Sequence, residues 1–163
     1  MKKPIVVAVS GGFDPLHIGH VRMFIEAKML GDKLVIILNN DAWLKSKKGF
    51  VFMPEEERKE IIEAIGVVDK VILTEHVQND SDRSVSRELQ KIRPHIFANG
   101  GDRHPDDHAV PEVRVCEELN IKMIYNVGHG GKVQSSSWLT KNVKKHLPTK
   151  ISKNKLRASG KKL

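Results

Sequence analysis

Two unbroken apolar runs, Ile5–Val9 and Leu34–Leu38, constrain the fold of this 163-residue chain more than any other feature. A strand with one face in water alternates apolar and polar residues, whereas a wholly apolar strand needs cover on both faces. Three further short runs, Val71–Leu73, His95–Ala98 and Met123–Asn126, also read as strands. Amphipathic segments separate them. His20–Leu30 reads as a helix ended by Gly31, and Pro54–Ile65 as one with proline in its first turn and Gly66 beyond its end. Ser81–Ile92 follows with Ser81 and Asp82 as candidate caps, then Val110–Leu119 with Pro111 near its start, then Ser135–Lys145 capped from the serine run 135–137. The alternation predicts a three-layer α/β/α domain around a mainly parallel sheet of about five strands. Ligands of such sheets sit beyond the carboxyl ends of the strands, where strand order reverses.

Charge points away from function once it is located. The formal net charge is +8, yet residues 144–163 hold eight Lys and Arg and no acid, which leaves 20 basic against 20 acidic residues in 1–143. Residues 1–147 are expected to form the domain and 148–163 a flexible basic extension, read as an aid to solubility. The first residues, Met1-Lys2-Lys3-Pro4 and the apolar run after them, are too short and too β-branched for a signal peptide. No run approaches the roughly 18–20 apolar residues of a membrane span. Cys116 is the only cysteine. It excludes an internal disulfide, fits a reducing compartment and reads as an ordinary buried thiol, so the expected location is cytoplasmic.

The first run leads into Gly11-Gly12-Phe13-Asp14-Pro15-Leu16-His17-Ile18-Gly19-His20 and then a helix. Glycines let a backbone turn tightly and present N–H groups to an anion. A helix N-terminus adds unsatisfied donors and partial positive charge. His17 and His20 can offer further donors to phosphate oxygens, and Gly19 can let a triphosphate approach the backbone. Two histidines could also be half of a zinc site, but His104 and His108 stand in a Pro/Asp-rich loop without a ligand pattern.

The segment resembles the G-x-F-D-x-x-H-x-G-H signature of the cytidylyltransferase-like nucleotidyltransferases. Class I aminoacyl-tRNA synthetases share His-Ile-Gly-His, but they are much longer, and Lys45-Ser46-Lys47-Lys48 is only a faint, misplaced echo of their Lys-Met-Ser-Lys-Ser loop. Further segments resemble the same family in order: Leu30-Gly31-Asp32, Asn39-Asn40-Asp41 with its lysines, Glu56-Glu57-Arg58, Val68-Asp69-Lys70-Val71, Asn99-Gly100-Gly101-Asp102, and Gln134-Ser135-Ser136-Ser137. The resemblance implies a Rossmann-like fold and transfer of a nucleoside monophosphate from ATP or CTP to a phosphorylated small molecule, with release of pyrophosphate. It assigns His17, His20, Lys47 and Lys48 to catalysis, with the lysines on a loop. Gly11, Gly12, Phe13, Asp14, Gly19, Arg58, Gly101, Asp102, Ser135 and Ser136 would bind the nucleotide, Asp14 chiefly by fixing the turn. Lys45, Trp43 and Lys132 would meet the acceptor. Mg2+ would be held mainly by the triphosphate, and dimers among such enzymes suggest a homodimer.

The chain departs from the family pattern near its end. Gln134 replaces the usual Ile, and Gly128-His129-Gly130-Gly131-Lys132 lacks the Arg-Thr-Glu-Gly of glycerol-3-phosphate cytidylyltransferases. Gly100-Gly101-Asp102 is closer to heptose-phosphate adenylyltransferases, which tips the expectation toward AMP transfer to a sugar phosphate. Cytidylyl transfer to a glycerol or amino-alcohol phosphate is the alternative. A non-catalytic nucleotide or nucleic-acid binding module, using the basic tail, is the competing class, and nucleic acid is not the expected partner.

Overall fold

The computed structural model describes residues 2–100, 111–128 and 134–146. Its elements run β1 (Val6–Gly11), α1 (Ile18–Lys28), β2 (Lys33–Leu38), α2 (Asp41–Lys48), α3 (Glu55–Glu63), β3 (Lys70–Leu73), α4 (Ser86–Ile92), β4 (Ile96–Gly100), α5 (Val113–Glu118), β5 (Lys122–Val127) and α6 (Ser136–His146). The strands form one parallel sheet in the order β3-β2-β1-β4-β5. The chain builds outward from β1 through β2 to β3, then crosses to β4 on the other side of β1. Strand order therefore reverses between β1 and β4, the usual ligand position in this architecture.

Both faces of the central strands are covered, as their apolar runs demand. Val7 and Val9 pack with Phe24 and Ala27 of α1 and Ile62 of α3, while Ala8 points the other way, into a cluster with Leu89 of α4 and Val115 and Cys116 of α5. Alternate residues of one strand thus feed two cores, which makes the domain a three-layer Rossmann-like α/β/α structure. Cys116 is buried, and burial followed by the nearby Glu112 raises its thiol pKa to about 11, so it is protonated and inert.

The turn from α1 into β2 is sterically closed. Asp32 Oδ2 accepts from Ile5 N at 2.7 Å, and a Cβ added at Gly31 would sit 2.8 Å from Ile5 O and 2.8 Å from Val7 Cγ2. Gly31→Ala is expected to cost about 1–3 kcal/mol through overpacking against backbone. A urea midpoint that falls at unchanged slope would report it, and an unchanged midpoint would contradict it.

Several boundaries differ from the sequence expectation for local reasons. Lys45–Lys48 is not a loop but the end of α2. Asn40 caps this helix by accepting from Trp43 N at 3.0 Å, and Gly49 closes it in the left-handed region at φ 81°. Its three lysines lie in the last turn, where the negative end of the helix dipole favours cations. Helix α1 starts at Ile18 rather than His20, with extended His17 as its N-cap. Helix α4 starts only at Ser86, because Asp82 Oδ1 accepts from Ser84 N at 2.9 Å and holds a local turn instead. Pro54 sits at the N-cap of α3, and helix α5 is shorter than expected at both ends. The tail 148–163 lies outside the described residues.

Candidate active site

The loop from β1 into α1 and the start of α6 meet beyond the carboxyl end of the sheet. Ser136 Oγ donates to Pro15 O at 3.0 Å, and Gly19, in the first turn of α1, has its Cβ position 3.7 Å from Gln134 O. Ser135 Oγ caps α6 by accepting from Trp138 N at 3.1 Å. Two helices of 11 residues each therefore bring their N-termini to one place. Each presents free backbone donors and partial positive charge, so their convergence favours a multiply charged anion.

The two histidines stand at this junction with rings stacked, centroids 3.6 Å apart. His17 N donates to His20 Nδ1 at 3.3 Å. A neutral imidazole that accepts at Nδ1 carries its proton on Nε2, so His20 can donate from Nε2. The edge of Phe13, 4.9 Å away between centroids, supports the His20 ring from behind. Burial, then His17, then Lys48 push the His20 pKa down to about 3. Burial and Lys48 also lower that of His17. At neutral pH His20 is therefore a neutral hydrogen-bond donor rather than a cation.

A cavity of about 200 Å³ opens beside the pair, and His20, Gly12, Trp43, Lys47, Lys48 and Ser136 are among its walls. Lys48 Nζ donates to Asp14 O at 2.8 Å, which fixes the ammonium against the loop. Burial lowers the Lys48 pKa, and the Asp14 carboxylate partly offsets this. Lys47 lies over the Trp43 ring with its Nζ 4.5 Å from the centroid. A larger cavity of about 470 Å³ lies beside β3 and α4, away from the histidines, and its lysines, Lys70 and Lys91, are matched by Glu75 and Glu88.

The expected residues divide into those that face this cavity and those that build it. Gly11, Gly12, Phe13, His20, Trp43, Lys47, Lys48 and Ser136 line it, with His17 and Ser135 at its edge. Lys45 is exposed on α2 and is not among the lining, so the structure does not bring it to an acceptor there. Arg58 is a correction. Its side chain is wholly buried, Nη1 donates to Gly12 O and Asn39 O, Nε to Met53 O, and Nη2 to Asp41 Oδ1 at 2.6 Å. A guanidinium so enclosed braces the loop and cannot reach a nucleotide. Asp14 is likewise interior: its two oxygens accept from Phe52 N and Met53 N, which ties the segment after α2 to the loop. Phe13 packs against Phe24 in the core and also lines the cavity, backing the His20 ring. Gly101, Asp102 and Lys132 lie outside the described residues.

Five lining residues stand outside the expected site set: Ser10, Asn39, Arg83, Val85 and Glu112. Arg83 is brought in by its carbonyl, which accepts from Trp43 Nε1 at 2.9 Å. Glu112 reads in sequence as the opening of a helix, and only the packing of α5 against the residues before α4 turns it inward. It accepts from Val85 N at 3.1 Å.

Neutral donors, two helix N-termini and clustered cations at a switch point suit a multiply charged anion. The family model described as cytidylyltransferase-like matches residues 8–154, and the chain belongs to this family of nucleotidyltransferases. It is 38% identical over 112 residues to the FAD synthase of Ferroglobus placidus, covering 69% of this chain and 67% of that protein. Similarity to the FAD synthase of Pyrococcus abyssi is 37% over 122 residues, 74% of this chain and 78% of the relative. The bifunctional protein HldE of Proteus mirabilis is 36% identical over 106 residues, 64% of this chain but only 21% of that protein. Among solved structures, the lipopolysaccharide core biosynthesis protein from Thermoplasma volcanium superposes with a TM-score of 0.63 at 26% identity, over 78% of this chain and 99% of that one. Among the described residues no helix is long and apolar enough to cross a membrane.

Proposed function

We propose that this enzyme transfers AMP from ATP to the phosphate of a phosphorylated small molecule, releasing pyrophosphate. The observation that carries the reading is the meeting of α1 and α6 N-termini at the His17–His20 pair, beside a cavity walled by Lys47 and Lys48. In this reading the triphosphate lies across the two helix ends. An oxygen of the acceptor phosphate attacks the α-phosphorus in line, the bond from that phosphorus to the bridging oxygen breaks, and pyrophosphate leaves with the electron pair. His20 Nε2–H and His17 donate to phosphate oxygens whose charge rises in the transition state, and being uncharged beforehand they need no desolvated counter-ion. A phosphate monoester is already nucleophilic, so no general base is required. The lysines offset the charge of acceptor and leaving group.

The donor set suits Mg2+ brought in by the triphosphate. Mg2+ prefers oxygen ligands, and the lining offers one carboxylate, Glu112, beside the His20, Lys47 and Lys48 nitrogens, so phosphate oxygens and water would supply most of its shell.

AMP is favoured over CMP by the relatives named FAD synthase, since joining AMP to the phosphate of FMN makes FAD. The resemblance of Gly100-Gly101-Asp102 to heptose-phosphate adenylyltransferases keeps sugar phosphates in view. The deciding measurement is pyrophosphate release from ATP, CTP, GTP and UTP, each against FMN, sugar 1-phosphates, glycerol 3-phosphate and phosphoethanolamine. ATP is expected to exceed the other triphosphates by about tenfold or more in kcat/KM. A preference for CTP would overturn adenylyl transfer, and no release with any pair would overturn transfer altogether.

A further inference from the structure

Two residues that line the cavity each carry a buried oxygen without a hydrogen-bond partner. Glu112 is 4% exposed; one carboxylate oxygen accepts from Val85 N, and the other, Oε2, is buried and has no hydrogen-bond partner. Asn39 is also 4% exposed, and its Oδ1 is buried without a partner. Both residues line the same cavity as Lys47, Lys48 and Arg83. Leaving a buried acceptor unsatisfied is costly, and a charged one more so, so such atoms in a ligand cavity mark where ligand donors go.

We propose that Glu112 and Asn39 are specificity-determining residues that read hydroxyl groups on the carbon chain of the acceptor, which is therefore the phosphate ester of a polyol or sugar. This rests on the adenylyltransferase reading above for the identity of the site. The charges decide between donor types. Lys47 and Lys48 against Glu112 leave the described side chains of the lining with a net charge of +1, which suits a phosphate attached to a neutral body. An ammonium on that body would meet Glu112 but would also face the two lysines. Hydroxyls satisfy both free oxygens without adding charge. They also suit Asn39 Oδ1, a neutral acceptor. The division of labour is then simple: the cations hold the acceptor phosphate toward the α-phosphate, and Glu112 and Asn39 test what that phosphate is attached to. A site built to accept hydroxyl donors discriminates strongly against analogues without them, because its own oxygens are then buried unpaired.

The test is calorimetric binding to the full chain saturated with α,β-methylene-ATP, which cannot be cleaved at the reacting bond. Ribitol 5-phosphate is compared with pentyl phosphate, which lacks every chain hydroxyl, and with phosphoethanolamine. Ribitol 5-phosphate is expected to bind about tenfold or more tighter than either. In Glu112→Gln the bond to Val85 N survives while the free oxygen becomes an N–H donor, and the preference over pentyl phosphate should shrink to about twofold. Asn39→Ala should reduce it in part, with thermal melts confirming that both variants fold. Equal binding of ribitol and pentyl phosphates, tighter binding of phosphoethanolamine, or an undiminished preference in Glu112→Gln would each overturn the proposal. Turnover on the substrate panel with no hydroxyl preference would sink only this inference. A hydroxyl preference that depends on Glu112, without pyrophosphate release, would uphold it and sink the adenylyltransferase reading instead.

Discussion

His20→Ala is expected to lower kcat by about two to three orders of magnitude, the usual loss when one preorganised donor to a developing charge is removed. The argument is geometric. His20 Nδ1 is occupied by the His17 N–H, the Phe13 edge fixes the ring plane, and the stacked His17 fixes its other face. Its Nε2–H is thus held in place before substrate arrives, which is what makes such a donor effective in the transition state. The KM for ATP should move far less than kcat, because the helix ends and lysines still hold the ground-state phosphates. His20→Asn, which restores a donor at a shorter reach, should recover part of the loss. Retention of kcat within about threefold in His20→Ala would remove the histidine from the chemistry, since a loss that small is well under one transition-state hydrogen bond.

The same ring makes a statement about pH. With its pKa held down to about 3, His20 is neutral through the physiological range and should contribute no break to the pH–rate profile there. The stability effect has a definite sign. In the unfolded chain a histidine binds a proton near pH 6.5, so between that value and about 3 the unfolded state holds a proton that the folded state refuses. Stability must therefore fall as pH drops through that window, and His20→Asn should flatten the fall in acid denaturation curves.

The fold was legible where one physical requirement dominated. Apolar runs with no polar face demanded a covered parallel sheet, and β1 and β2 lie where Ile5–Val9 and Leu34–Leu38 put them. The glycine turn before a helix, with its paired histidines, was legible because few other structures need that combination. Helix α2 was not, because three lysines in its last turn look like a solvated loop; the signal lay in Asn40 at one end and Gly49 at the other. Arg58 was misplaced for a similar reason. A helix sequence rich in Glu on both sides suggests an exposed charge, and sequence does not reveal four oxygen acceptors drawn from residues 12, 39, 41 and 53. Glu112 could not be found at all, since its partner Val85 lies 27 residues away.

Arg58 therefore carries a second large prediction, on stability rather than chemistry. Its side chain is fully buried and its ion pair with Asp41 leaves that carboxylate only partly exposed. Arg58→Ala would strip donors from the carbonyls of Gly12, Asn39 and Met53 and leave Asp41 without its cation. Breaking a buried pair from one side typically costs about 3–5 kcal/mol, which for a domain of this size lowers Tm by about 10 °C or more. Arg58→Lys keeps the charge but not the planar fork, so it should recover only a minor part. Activity measured well below the lowered Tm adds a second readout. Because one nitrogen, Nη1, holds both the Gly12 and the Asn39 carbonyls, the phosphate loop and the cavity lining at Asn39 should loosen together, and kcat should fall even in the folded fraction. A bracing role predicts this joint loss of stability and rate without a selective rise in the KM for ATP. If Arg58→Ala kept its Tm and raised only that KM, the guanidinium would have to reach the nucleotide after all, and its burial beneath the loop would be the wrong description of its work.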